Sequence, residues 1–322
     1  MPLPRSGDEL AQMLIERWRW LVYRLRFHPW TTHALPRIGA TAADYARLMR
    51  LDRPIGTYLL LWPTLWALWI GGHGRPDPHV LLIFVAGVVL MRSAGCVIND
   101  YADRSFDPHV ARTQDRPLAA GRVSTHEALM LFAILALTAL ILALQLHRAA
   151  LLWAVAGAFL AVTYPFIKRF LSVPQLYLGL SFGWGIPMAF AAQLYKVPRV
   201  AWLLFLANLL WVTAYDTIYA MVDRDDDLRI GLRSTAILFG DSDRHIIAVL
   251  QAMTLLALVL AGRMAGLGPW YLAGLAAAGA FFAYQLWLIR RRDPRACFQA
   301  FLNNQYVGLS VFVGILLHYI YR

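Results

Sequence analysis

The chain has 322 residues, of which 59% are apolar and only 15% charged, whereas an ordinary soluble domain is about a quarter charged. That balance excludes a soluble enzyme and a disordered chain, and the presence of only two cysteines, Cys96 and Cys297, excludes a disulfide-stapled scaffold. The net charge of +11 does not point to nucleic acid either, because the arginines sit between long apolar runs instead of along one basic stripe.

Residues 1–46 form an N-terminal extension ahead of the apolar body, residues 47–322. The extension lacks the uninterrupted apolar stretch of a signal peptide and carries Asp8, Glu9 and Glu16 among its arginines. Leu10, Met13, Leu14, Trp18, Leu21, Val22 and Leu25 recur at three and four. That spacing predicts an amphipathic helix lying on an anionic membrane surface or packed on the body of the protein.

A membrane-crossing helix needs about 20 mostly apolar residues. Nine stretches of that kind follow, near 54–72, 78–98, 126–146, 149–167, 174–194, 198–222, 246–266, 269–289 and 298–321. The predicted fold class is therefore all-α, a multi-pass membrane protein of about nine helices. Alternate loops hold most of the positive charge: Arg104, Arg112, Arg116 and Arg122; Lys168 and Arg169; Arg224, Arg229, Arg233 and Arg244; Arg290, Arg291, Arg292 and Arg295. Positive residues accumulate on the cytoplasmic side, so these loops and the N-terminus are expected inside.

The acidic residues concentrate after the second and sixth spans, on that same side. The first cluster comprises Asn99, Asp100, Asp103 and Asp107. On a continuous helix at about 100° per residue these four fall within one arc, which Arg92 shares from inside the span. An unpaired charge there is costly, so Arg92 is expected to face a polar cavity. The second cluster places Asp216, Asp223 and Asp227 at i, i+7 and i+11, on one face of a continuous helix. Arg92, Asn99 and Asp103 repeat that spacing.

A helix end that merely stops a span would also carry acids. Two facing sets of carboxylates, however, raise one another's pKa unless a cation sits between them. Oxygen ligands suit Mg²⁺, which is commonly shared between one or two carboxylates and substrate phosphates. The neighbouring Arg112, Arg116, Lys168, Arg169, Arg229 and Arg233 suit the remaining phosphate charge. The constellation asks for a diphosphate.

At these residues the chain resembles the UbiA superfamily of intramembrane aromatic prenyltransferases, and within it the bacterial 4-hydroxybenzoate polyprenyltransferases. The resemblance is carried by the run Arg53 to Thr64, the NDxxDxxxD pattern from Asn99 to Asp107, Arg116-Pro117-Leu118, the turn from Tyr164 to Arg169, the run Phe182 to Met188, the run Tyr219 to Asp227, and Ser234 to Leu238 after it. It implies helices ringed around a central cavity that opens to lipid, with the two aspartate-rich motifs facing each other at its cytoplasmic end.

By the same resemblance Asn99, Asp103, Asp107, Asp223 and Asp227 hold Mg²⁺ and the diphosphate, Asp103, Asp107, Asp223 and Asp227 act catalytically, and Arg112, Arg116 and Lys168 bind diphosphate. Asp100 and Asp216 are secondary candidates. Arg53, then Arg92, would meet the carboxylate of the acceptor. The implied reaction transfers a polyprenyl group from polyprenyl diphosphate to the ring carbon ortho to the hydroxyl of 4-hydroxybenzoate, at the inner membrane, in ubiquinone biosynthesis. The competing readings are a sister enzyme with another aromatic acceptor and an ion-coupled transporter, since intramembrane acids also mark ion pathways.

Overall fold

The computed structural model describes residues 41–105, 107–109, 113–167, 170–230 and 233–322. The expected N-terminal amphipathic helix, Arg112, Lys168 and Arg169 lie outside the described residues. Among the described residues every regular element is helical: α1 Ala42–Leu48, α2 Ile55–Gly71, α3 Pro78–Asp103, α4 Thr125–Ala143, α5 Arg148–Ile167, α6 Pro174–Gly183, α7 Gly185–Leu194, α8 Arg199–Ala220, α9 Arg224–Ile230, α10 Thr235–Phe239, α11 Asp243–Met264, α12 Pro269–Leu288 and α13 Pro294–Ile320, with short 3₁₀ turns between some of them.

Sequence chemistry sets many of these ends. Asp77 caps α3 by accepting from the His79 and Val80 amides, and Asp293 caps α13 through the Ala296 amide. Proline follows each at the first helical position, where its missing N–H costs nothing. Ser124 and Glu127 form a reciprocal capping box at the start of α4.

Among the described residues seven helical stretches are long and apolar enough to cross a bilayer: α3, α4, α5, α8, α10 together with α11, α12 and α13. The other two expected spans are built differently. The first, α2, is a 17-residue apolar helix. The stretch expected to be one helix over 174–194 is two ten-residue helices, α6 and α7, that meet at Trp184. Pro187 explains the break, since it lacks an N–H and crowds the carbonyl four residues earlier, that of Gly183. Trp184 fills the bend, its indole N–H donating to the Trp153 carbonyl on α5 at 2.8 Å.

The helices close a circuit in which α2 packs on α3, α3 on α5, α5 on α6 and α7, α6 on α8, α8 on α11, α11 on α12, α12 on α13 and α13 back on α2. Lipid tails are as apolar as leucine, so close packing and interhelical hydrogen bonds must hold such an assembly. Trp66 of α2 stacks on Trp211 of α8 at 5.6 Å and donates to the Gly308 carbonyl of α13 at 3.0 Å. Trp211 in turn donates to Asn304 Oδ1 at 2.8 Å, also on α13. A second buried chain runs from Gln251 through Gln285 to Asn303, joining α11, α12 and α13 at 2.9 and 3.0 Å. By contrast α4 buries only Ala128 and leaves Ile134, Leu137 and Ile141 exposed. Leu152, Val155 and Phe159 on α5 border an apolar groove of about 470 Å³ that Trp184 closes at one side. These faces meet hydrocarbon.

Candidate active site

The first acidic motif sits where α3 ends. Asn99 donates to Asp103 Oδ2 at 3.0 Å across one helical turn. Asp100 points the other way and is buried, with Arg50 Nη2 2.8 Å from both of its oxygens and Arg116 Nη1 3.0 Å from Oδ1. The same Arg116 nitrogen reaches Asp107 Oδ2 at 2.9 Å. The four residues therefore do not share one helical arc. The helix stops at Asp103, and Asp107 lies in a 3₁₀ turn with Pro108, which disfavours a helical conformation at the residue before it. Burial pushes the Asp107 carboxyl upward; Arg116 opposes this, while Asp100 and Asp103 add to it.

The second motif is likewise divided. The continuous face expected for Asp216, Asp223 and Asp227 breaks because α8 ends at Ala220 and Asp227 belongs to α9. The Asp227 amide donates to the Asp223 carbonyl at 2.8 Å, starting the new helix. Arg224, between them, lies 3.7 Å from Asp243. Asp243 is fully buried and receives Arg292 through both Nε and Nη2 at 2.8–3.2 Å. Farther up α8, Thr217 and Thr235 share a hydroxyl contact of 2.7 Å, and the Thr235 amide donates to Gln175 of α6 at 3.1 Å. The Ser234 to Leu238 segment is thus fastened to the helices beneath the motif.

Charges from both motifs, Asp216 and Asp103, act on the phenol of Tyr164 on α5, together with Arg92 and Tyr219. Arg92 is half-buried, with its guanidinium carbon 5.6 Å from the Phe182 ring centre. It also lies against Gly56 of α2 so closely that a Cβ there would overlap it. Arg53 sits elsewhere: its side chain is 78% exposed, 3.8 Å from Asp52.

Among the described residues no three His, Cys, Asp or Glu side chains converge tightly enough to form a complete metal cage. Asn99 with Asp103 on one side, and Asp216, Asp223 and Asp227 on the other, instead offer separate hard-oxygen ligands. That donor set fits Mg²⁺, which keeps waters and completes its octahedron with phosphate oxygens. Arg116 is already committed to Asp100 and Asp107. Arg50, Asp243 and Arg292 are not legible as partners in the sequence, because they pair 50 and 49 residues apart along the chain; a lone acid opening a span, such as Asp243, is the one available signal.

Helices long and apolar enough to cross a membrane, with acids, tyrosines and an arginine on α3 and α8 and near their ends, define an integral membrane protein. A model of the UbiA prenyltransferase family matches residues 60–314, and the chain belongs to that family. It is 61% identical over 276 residues, 86% of this chain and 97% of the relative, to a 4-hydroxybenzoate octaprenyltransferase of Nitrosococcus oceani. The apo structure of a UbiA homologue from Aeropyrum pernix K1 superposes with a TM-score of 0.73 at 26% identity, covering 81% of this chain and 97% of that one. A UbiA homologue from Archaeoglobus fulgidus, solved with GPP and Mg²⁺ bound, shares the fold with a TM-score of 0.63 at 17% identity, covering 84% and 99%.

Proposed function

We propose that this chain transfers a polyprenyl group from polyprenyl diphosphate to the carbon ortho to the hydroxyl of 4-hydroxybenzoate, releasing diphosphate and forming 3-polyprenyl-4-hydroxybenzoate. The substrate assignment is supported by the 61% identical relative named for that reaction. The observation that supports the chemistry is that Asn99 and Asp103 at the end of α3 and Asp216 near the end of α8 carry separate oxygen ligands, with charges from both motifs, Asp103 and Asp216, acting on the Tyr164 phenol.

In this reading Asn99, Asp103, Asp223 and Asp227 hold Mg²⁺ against the diphosphate, with Asp107 and Asp216 beside them. The ion would supply charge to stabilise the departing diphosphate. Arg112 and Lys168 are the proposed diphosphate cations, and Arg116 shapes the first motif by clamping Asp100 and Asp107. The allylic C–O bond breaks with its electron pair leaving on the diphosphate, and the electron-rich ring carbon bonds to the allylic carbon. The displaced ring proton passes to Asp223 or to the diphosphate, restoring aromaticity. Tyr164, Tyr215, Tyr219 and Phe182 give the allylic cation an aromatic surround and exclude water that would capture it.

Arg92 is the proposed partner of the acceptor carboxylate, because it is held inside the site; Arg53 stands nearer the cytoplasmic approach. The proposed setting is the bacterial inner membrane with the N-terminus and site cytoplasmic, since the polyprenyl tail needs hydrocarbon and the small acid comes from water. The test is transfer of label from radioactive 4-hydroxybenzoate into lipid by membranes containing the protein, given a long allylic diphosphate with and without Mg²⁺. Mg²⁺-dependent labelled lipid, absent from empty-vector membranes, supports the assignment. Inserted protein that labels no lipid overturns it.

A further inference from the structure

The second acidic motif carries an arginine that works against it. Arg224 opens α9 directly after Asp223 and three residues before Asp227, and opposite charges three apart pair readily on a helix surface. A guanidinium settled between these carboxylates would occupy the oxygens assigned to Mg²⁺ and repel the ion. A cation site here therefore needs a competing partner for Arg224.

Asp243, the first residue of α11, is that partner. Arg224 Nη1 lies 3.7 Å from its Oδ2, close enough for charge attraction and too far for a hydrogen bond. Asp243 is fully buried, so salt screens its charge less than that of a surface acid. A buried carboxylate needs a counter-charge, and Arg292 supplies one, with Nε 2.9 Å from Oδ2 and Nη2 2.8 Å from Oδ1. Arg292 Nη2 also donates to the Asp241 carbonyl at 2.8 Å. The Arg292 backbone is left-handed, with φ at 53°, a conformation unfavourable for a residue with a side chain. Asp243 is thereby fixed independently of Arg224.

Apolar packing ties the same elements together. Ile218 and Met221, at the end of α8, share one buried cluster with Ile247 of α11, Ile289 in the turn before Arg292, and Cys297 of α13. Ile247 stands one helical turn beyond Asp243. The chain that leads into Arg224 is thus anchored to the elements that carry Asp243 and Arg292.

Resting on the assignment of Asp223 and Asp227 to the metal made above, we propose that Asp243 is a positioning residue for the second motif, drawing the Arg224 guanidinium away from Asp223 and Asp227 and so keeping their oxygens for Mg²⁺. Arg292 keeps Asp243 charged and in place. Asp243 acts through Arg224 and not on the substrate.

The test measures binding of Mn²⁺, a paramagnetic stand-in for Mg²⁺, to the purified protein in detergent, from the loss of the free ion's electron paramagnetic resonance signal. Asp243→Asn keeps the side chain's shape and removes the charge that draws Arg224. Its Mn²⁺ dissociation constant is expected to rise about tenfold, as one positive charge brought within about 6 Å of a divalent ion in water would cause. Adding Arg224→Gln should restore the wild-type constant without restoring the melting temperature, because it removes the competing charge and leaves Arg292 without its carboxylate. Arg292→Gln should also lower the melting temperature, since it breaks a buried ion pair, yet leave the constant as in the wild type, because Asp243 still holds Arg224. That variant carries the test if Asp243→Asn does not insert. An unchanged constant in Asp243→Asn, no recovery in the double variant, or a raised constant in Arg292→Gln overturns the inference while leaving the reaction standing. Wild-type protein that binds no Mn²⁺ overturns the metal assignment and the inference together.

Discussion

Arg50 places one guanidinium nitrogen 2.8 Å from each carboxylate oxygen of Asp100, tying the loop before α2 to the last turn of α3. With Arg116 on the same carboxylate, Asp100 is neutralised from two sides and buried. Asn99 and Asp103 can then point into the site while their neighbour anchors the helix end. Removing one partner of a buried ion pair costs about 3–5 kcal/mol. Asp100→Asn is therefore expected to lower the melting temperature in detergent by several degrees as well as to reduce activity. A variant that melts like the wild type would detach Asp100 from this structural role.

Asp103 and Asp227 should behave differently. Neither is buried. Asp103→Asn and Asp227→Asn are expected to insert normally and melt within a degree or two of the wild type, yet lose prenyl transfer by at least about a hundredfold, as expected when a charge that acts in the transition state is removed. Near-wild-type rates in both would remove these carboxylates from the metal and diphosphate site.

The contrast between these aspartates marks where the sequence becomes hard to read. Spans, caps and the clustering of acids on one side follow from composition and spacing, because hydropathy and proline act locally. The shared helical arcs did not survive, because Pro108 and the end of α8 at Ala220 interrupt both helices between the acids. Nor could spacing separate Asp103, turned toward the site, from Asp100, turned toward Arg50: that difference comes from a partner fifty positions away. Nor does the cost of an intramembrane charge say what Arg92 meets, the Phe182 ring and Gly56.

Gly56 provides a probe of Arg92 that leaves the arginine itself in place. A Cβ at Gly56 would overlap the Arg92 guanidinium, the far end of a flexible side chain that can move aside. Gly56→Ala should consequently cost little stability, since alanine also favours the helix by about 1 kcal/mol, while shifting the guanidinium out of its position. The expected outcome is a KM for 4-hydroxybenzoate raised about tenfold, on the scale of one charged hydrogen bond, with an unchanged melting temperature. A wild-type KM would show that the acceptor does not depend on where Arg92 is held.

The short helix α1 offers a pH-dependent test at the membrane surface. Asp44 accepts a hydrogen bond from the Thr41 hydroxyl at 3.0 Å and forms an ion pair with Arg122 at 2.9 Å, and these contacts, Thr41 foremost, hold its carboxyl below the ordinary carboxylate range. A depressed carboxyl contributes stability that is fully present above its unfolded pKa of about 3.9 and is lost as pH falls through the lower folded value. Amide hydrogen exchange across α1, corrected for the intrinsic rate, should therefore show protection that is constant near neutrality and falls below about pH 4. In Asp44→Asn the protection should already be reduced near neutrality, and its fall through that window should shrink, because the titrating group is gone. If the variant retained wild-type protection at neutral pH, the Thr41 and Arg122 contacts would not be what fastens α1 to the loop before α4.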